Sequence, residues 1–311
     1  MKPYAILFAG QGAQAIGMGI QALAASPYLT SYFESIQKHL HFDLRAILTG
    51  EKPGLNQTEF TQPALLATSL LYFQQLQHEL PLRPSFYLGF SLGEYTALHA
   101  SGHLDLPSTL NLIQIRANAM AKAGLEQPGS MAAIIGMTAE DLNRLCQQVN
   151  QPNQIVMIAN YNCPGQLVIS GHQEAVKQVM NLATQHGAKR AIALNVSGAF
   201  HSPLMKPAGS VLATALPKFR FLPSKTPMVF NWTGKPLTNL NDLPNHLIQQ
   251  VQSSVLFENS IRYVAQEGIQ DFLEIGPGNV LSGFVKKILP SANVVSYNGL
   301  SDLNLVKELL A

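Results

Sequence analysis

Residues 85–102 read SFYLGFSLGEYTALHASG. A short apolar run reaches Gly89, turns through Ser91 and Gly93, and leaves as a helix that stops at Gly102. An apolar run of that length, bounded by glycine and without polar alternation, reads as a strand covered on both faces. Strands of that kind sit in parallel sheets, whose crossover helices supply the cover. The same grammar recurs in YAILFAG, residues 4–10, and in DFLEIGPGNVLSGFVKKIL, residues 271–289. Helical apolar spacing marks residues 58–80 and LPSTLNLIQIRANAMAKAG, residues 106–124, where Pro107 and Gly124 serve as start and stop signals. The expected main body is therefore α/β, with a mostly parallel sheet.

The middle of the chain changes rhythm. SMAAIIGM is strand-like, and TAEDLNRLCQQVN is a helix with Thr138 as its N-cap. IVMIANYN and QLVISG form two strands joined through Cys163, Pro164 and Gly165, followed by the helix HQEAVKQVMNLATQHG and the strand AKRAIALN. The order β-α-β-β-α-β is that of a ferredoxin-like unit. It is assigned to residues 128–196 as a subdomain inserted into a larger domain of residues 1–127 and 197–311.

Composition narrows the function classes. With 47% hydrophobic and 12% charged residues the chain has ample material for a core. A net charge of +2 and the lack of a Lys/Arg run argue against a nucleic-acid partner. Cys146 and Cys163 are the two cysteines and show neither CxxC nor metal spacing, as expected of a reducing, cytoplasmic compartment. No basic-then-apolar leader and no 18-residue apolar stretch is found, so neither secretion nor a membrane partner is expected.

Gly89-Phe90-Ser91-Leu92-Gly93 is a G-x-S-x-G pentapeptide between a strand and a helix, the context in which a sharp turn projects a nucleophilic serine. A serine needs a base. His39, His41 and His78 lie in polar stretches, and Gly102 breaks the helix between His99 and His103, so no metal site is expected there. His201, in the small-residue loop VSGAFHSPLM, is the candidate base. Asp105, Asp141 and Asp271 stand at no obvious strand end, which leaves the group that orients the histidine open. Gly10, Gly12 and Ala15 also satisfy a relaxed dinucleotide pattern. That reading needs an acidic residue at the end of a second strand, and Glu34, at about the right distance, lies in a helical segment.

FAGQGAQ, TQPALLATSLL, GFSLGEYTAL, QIRANAM, VSGAFHSPLM and EIGPGNVLSG occur in this order, and together they resemble the malonyl-CoA:acyl carrier protein transacylase family over nearly the whole chain. The GAFHS form looks most like discrete acyltransferases of polyketide synthases, with the fatty-acid enzymes close by. The resemblance implies a hydrolase-like α/β domain carrying a ferredoxin-like subdomain, with Ser91 as the acylated nucleophile and His201 as its base. A backbone carbonyl, at the position matching Gln250, would orient the histidine in place of an acid. The backbone N–H groups of Gln11 and Leu92 would form the oxyanion hole. Arg116 would clamp the free carboxylate of malonyl, with Met120 one turn on, as opposed to an arginine snorkelling from a buried helix. Phe200 would crowd an α-methyl group. Gln62 and Asn160 would line the cleft, or else act as loop hydrogen-bonders. Phe90 departs from the family, which usually has histidine there, and this leaves the acyl preference open.

The family's reaction would be ping-pong: malonyl-CoA loads Ser91, and the phosphopantetheine thiol of an acyl carrier protein takes the malonyl group away. No metal or redox cofactor is implied. An acidic carrier would meet a basic rim, for which Lys189, Arg190, Lys286 and Lys287 are candidates. The rival readings are an acyl hydrolase that frees stalled acyl groups, against which Arg116 argues, and a non-catalytic carrier-docking module.

Overall fold

The computed structural model describes residues 2–311. Its larger sheet contains β1 (Tyr4–Phe8), β2 (Phe86–Gly89), β7 (Met228–Phe230), β8 (Lys235–Pro236), β9 (Asp271–Ile275) and β10 (Asn293–Tyr297), numbered in chain order with the strands of the second sheet. That second sheet is made of β3 (Ser130–Ile135), β4 (Val156–Cys163), β5 (Gln166–Gly171) and β6 (Arg190–Ala193).

The large sheet runs β10-β9-β1-β2-β7-β8, and every pairing except β7–β8 is parallel. β1 shows why its sequence is apolar without alternation. Tyr4, Ile6 and Phe8 enter the core on one face, and Ala5 and Leu7 enter a separate core on the other. Successive side chains of a strand point to opposite faces, so a strand covered twice needs apolar residues at every position. Shortening Leu7, which has no exposed surface, to alanine costs about 2–5 kcal/mol.

The second sheet runs β4-β5-β3-β6 and is antiparallel throughout, with helices Ala139–Val149 and Gln173–Gln185 as its crossovers. This is the ferredoxin-like arrangement. The Thr138 side chain caps the first of these helices by accepting from the N–H of Asp141. The two sheets are tied by backbone hydrogen bonds through Val255, whose N–H donates to Ala159 and whose carbonyl accepts from Tyr161.

One sequence expectation is corrected. Gly124 does not end its helix, which runs Leu106–Glu126 with Asp105 as its N-cap. A Cβ on Gly124 would lie 2.4 Å from the carbonyl oxygen of Ser197. The glycine is there so that this helix can touch the loop leading to His201.

Candidate active site

β2 ends at Gly89 and the next helix begins at Gly93, so three residues reverse the chain. The turn is tight enough that a Cβ on Gly89 would lie 2.0 Å from the Gly93 carbonyl carbon, and one on Gly93 would lie 2.3 Å from the Phe8 carbonyl oxygen. Both glycines of the pentapeptide are therefore steric necessities. Ser91, between them, has φ 52°, and His201 has φ 58°; among the described residues these are the non-glycine residues with positive φ. Left-handed backbone is strained for such side chains and concentrates at functional sites.

The two strained residues meet. Ser91 Oγ lies 2.7 Å from His201 Nε2. His201 Nδ1 donates to the carbonyl oxygen of Gln250 at 2.7 Å, and because a carbonyl can only accept, Nε2 is left as the basic nitrogen facing the serine. Burial, and then the positive charge of Arg116, hold the His201 pKa down at about 4. Far from being a surface histidine, it is only 4% exposed.

Arg116 is 1% exposed, so it does not snorkel. Its Nη1 donates to Gln62 Oε1, and its Nη2 donates to Ser91 Oγ at 3.0 Å and to Gln250 Oε1 at 2.9 Å. Its Nε has no partner, and among the described residues no carboxylate lies within 4.0 Å of the guanidinium. The guanidinium is buried among neutral amides and the face of Tyr95, 5.2 Å away, and it also feels the buried Glu94 carboxyl.

A cavity of about 370 Å³ opens over the serine between the two sheets. Gln11, Phe90, Ser91, Met120, Asn160, Phe200 and His201 line it; Leu92, Gln62, Arg116 and Gln250 do not, and Arg116 and Gln250 reach the site through their bonds to Ser91. Gln62 and Asn160 are not loop residues: Gln62 lies in the helix Thr58–Glu79 and holds Arg116 and Met120, and Asn160 lies on β4. The N–H groups of Gln11 and Leu92 have no internal acceptor among the described residues, which leaves both free for a ligand oxygen. The Gln11 loop reaches the site because Gly10 lies against the Phe90 backbone, where a Cβ would meet the carbonyl oxygen at 2.5 Å. The Phe90 ring turns toward Phe257 and Phe284, so an apolar wall stands beside the nucleophile.

Beyond the carbonyl expected from the sequence, the Gln250 side chain donates to the Ser91 carbonyl at 2.7 Å. Glu94 and Asn231 are site residues that the sequence did not point to. Glu94 has no exposed surface, and burial raises its carboxyl pKa to about 8 against the opposing effects of the Asn231 N–H and of Arg116. Asn231, just past β7, bonds to the serine turn itself. The available signal was its place after the apolar run MVF, because ligands and site residues gather at the carboxyl ends of parallel strands. His99 and His103 each donate through Nδ1 to a separate carbonyl, of Leu104 and Leu222, and share no common point. Asp105 caps a helix and takes no part in the site. Among the described residues no helix is long and apolar enough to cross a membrane.

Comparison with known proteins is consistent with this geometry. Residues 6–303 match the family model described as an acyl transferase domain. A protein of Bacillus subtilis (strain 168), named malonyl CoA-acyl carrier protein transacylase, is 40% identical over 289 residues, covering 93% of this chain and 91% of its own. The crystal structure of MCAT from Streptococcus pneumoniae superposes with a TM-score of 0.92 at 39% identity, over 98% of this chain and 99% of that one. A type II polyketide synthase acyl-carrier protein in complex with its malonyl-transacylase gives a TM-score of 0.95 at 35% identity, over 99% of both chains.

Proposed function

The chain belongs to the acyl transferase domain family, and from that premise we propose that it moves a malonyl group from malonyl-CoA to the phosphopantetheine thiol of an acyl carrier protein. One observation carries the choice of acyl group. Arg116 is a buried guanidinium with no carboxylate partner, and it donates to the oxygen that would hold the acyl chain. An acyl group with its own terminal carboxylate supplies the missing anion, whereas a plain acyl chain leaves the cation unpaired.

In this reading His201 Nε2 takes the Ser91 proton as Oγ forms a bond to the thioester carbonyl carbon. The carbonyl π electrons move to oxygen, and the negative charge is met by the N–H groups of Gln11 and Leu92. The electrons return, the carbon–sulfur bond breaks, and His201 gives its proton to the leaving CoA sulfur. The carrier's thiol then enters, gives its proton to His201, attacks the Ser91 ester, and leaves as the malonyl thioester with Oγ reprotonated. The Gln250 carbonyl keeps the imidazole in one tautomer throughout. Phe200 and Met120 bound the acyl pocket, Gln62 positions the clamp, and Asn160 faces the entering thioester arm. No metal or redox group is needed for any step.

The chemistry serves fatty-acid or polyketide assembly in the cytoplasm. In the domain assignment, residues 128–196 form the subdomain roofing the cleft and the two flanking segments form the catalytic body. Lys189, Arg190, Lys286 and Lys287 are exposed. Lys287 donates to Gln166, a residue of the cavity wall, and so is the one of the four with a contact to the mouth, where it would meet an acidic carrier; the Lys286 amine is engaged by the Ala292 carbonyl.

Intact-mass spectrometry after mixing with malonyl-CoA, and then with holo carrier, tests this. One malonyl adduct, lost in Ser91→Ala and transferred to the carrier, is the expected result. Release of free malonate without transfer would favour an acyl hydrolase, and no adduct at all would favour a docking module.

A further inference from the structure

We propose that Asn231 is a positioning residue for the nucleophile, holding Ser91 in its left-handed conformation by extending the sheet ladder with its side chain. The parallel pairing of β2 with β7 ends at Leu88 and Val229. Beyond that point β2 turns away from β7 and loses its partner on that side only, since the Phe90 N–H still donates to the Phe8 carbonyl of β1. Asn231, just past the end of β7, puts a carboxamide into the gap. Its Oδ1 accepts from the Ser91 N–H at 2.6 Å, and its Nδ2 donates to the Gly89 carbonyl at 2.6 Å. One side-chain amide thus spans Phe90 and meets the turn as a neighbouring strand's peptide would.

The carboxamide is itself held in place. The Asn231 N–H donates to Glu94 Oε2 at 2.7 Å, and its carbonyl accepts from Leu256 at 2.8 Å. With 2% exposure and all these groups engaged, it has no room to change rotamer. On the far side of Ser91 the Gln250 amide grips the serine carbonyl. That grip fixes the Ser91–Leu92 peptide plane, and so the direction of the Leu92 N–H on its opposite edge. The strained residue is clamped at both its N–H and its C=O, and the first clamp is Asn231. Since Asn231 does not line the cavity, it acts through Ser91 and not on substrate.

The inference rests on Ser91 being the nucleophile of the proposed reaction, and two readouts separate the two. A fluorophosphonate reports the reactivity of Ser91 without any malonyl compound, and malonyl-CoA loading reports the reaction. Asn231→Ala is expected to slow both by about 100-fold, as for a nucleophile displaced by about an ångström, while KM for malonyl-CoA stays near the wild-type value. Asn231→Asp keeps the acceptor for the Ser91 N–H and the shape of the side chain. It is expected to recover part of the loss, whereas Asn231→Leu, which keeps the bulk but neither hydrogen bond, is expected to recover none; recovery in Asn231→Leu would assign a packing role and overturn the proposal. Wild-type labelling and loading rates in Asn231→Ala would overturn the proposal. If that variant does not fold, wild-type rates in Asn231→Asp, which lacks the donor to Gly89, would overturn it instead. A wild-type protein that is labelled by the fluorophosphonate but never loaded with malonyl defeats the proposed function and leaves the labelling comparison to decide on Asn231.

Discussion

Two strand–turn–helix units of the large sheet read alike and are finished differently. After β9, the buried Glu274 carboxylate accepts from the N–H groups of Leu281 and Ser282, at 3.0 and 2.7 Å, at the start of the helix Val280–Ile288. An acid at a helix N-terminus meets both free donors and the positive end of the dipole, and little is left over. After β2 the balance is left open. Leu92 keeps a free N–H, Ser91 is strained, and Arg116 has neutral partners only. The contrast teaches that glycine and an apolar run build the turn, while unspent donors and a buried cation with no carboxylate hydrogen-bonded to it mark the one that can do chemistry.

The comparison can be tested by removing what is unspent on one side and what is spent on the other. Ser91→Ala is expected to abolish the covalent malonyl adduct altogether, as read by intact mass; an adduct surviving at wild-type yield would place the nucleophile elsewhere. Arg116→Ala is expected to lower kcat/KM for malonyl-CoA by about 1,000-fold, ~4 kcal/mol, as befits removing the partner of a buried charge. Its loss with acetyl-CoA should be much smaller, and an equal loss with both would break the assignment of a carboxylate clamp.

The pH profile is a subtler probe. His201 must be neutral to act, and its pKa in the free protein is held down at about 4 by burial and by Arg116. The acid limb of kcat/KM should therefore fall near pH 4, well below the usual histidine range. Removing the Arg116 charge takes away one of the two depressing influences, so the limb in Arg116→Ala should move upward. The smallest catalytic effect is expected at the satisfied turn. Glu274→Gln loses one acceptor and should destabilise by about 1–2 kcal/mol in a melting experiment with kcat unchanged. A fall in kcat would mean that the two turns are less separate than their hydrogen bonds indicate.

The alternation of strands and helices was plain in the sequence because strands covered on both faces and glycine turns leave strong local marks. Ser91 and His201 were legible for the same reason, each in a short run rich in small residues. Asn231 was not, because it lies 140 residues from Ser91 and meets it only through the neighbouring positions of β2 and β7. Sheet order is a non-local property that no window of residues carries. Glu94 was overlooked inside the very motif that named Ser91, since its burial depends on what packs over the helix. Gly124 was misread for a related reason: a glycine needed for close approach to Ser197 has the same local signature as one that ends a helix.

The backbone bonds through Val255 have a mechanical consequence. They pin β4, the strand that carries Asn160, to the segment whose next residue, Leu256, bonds Asn231. To rock the smaller sheet against the larger one would mean breaking those bonds. A swing that spares them has to turn about Val255 itself, so the bridge acts as a pivot stop: it anchors the two walls of the cleft to each other along one edge and leaves the opposite edge as the way in.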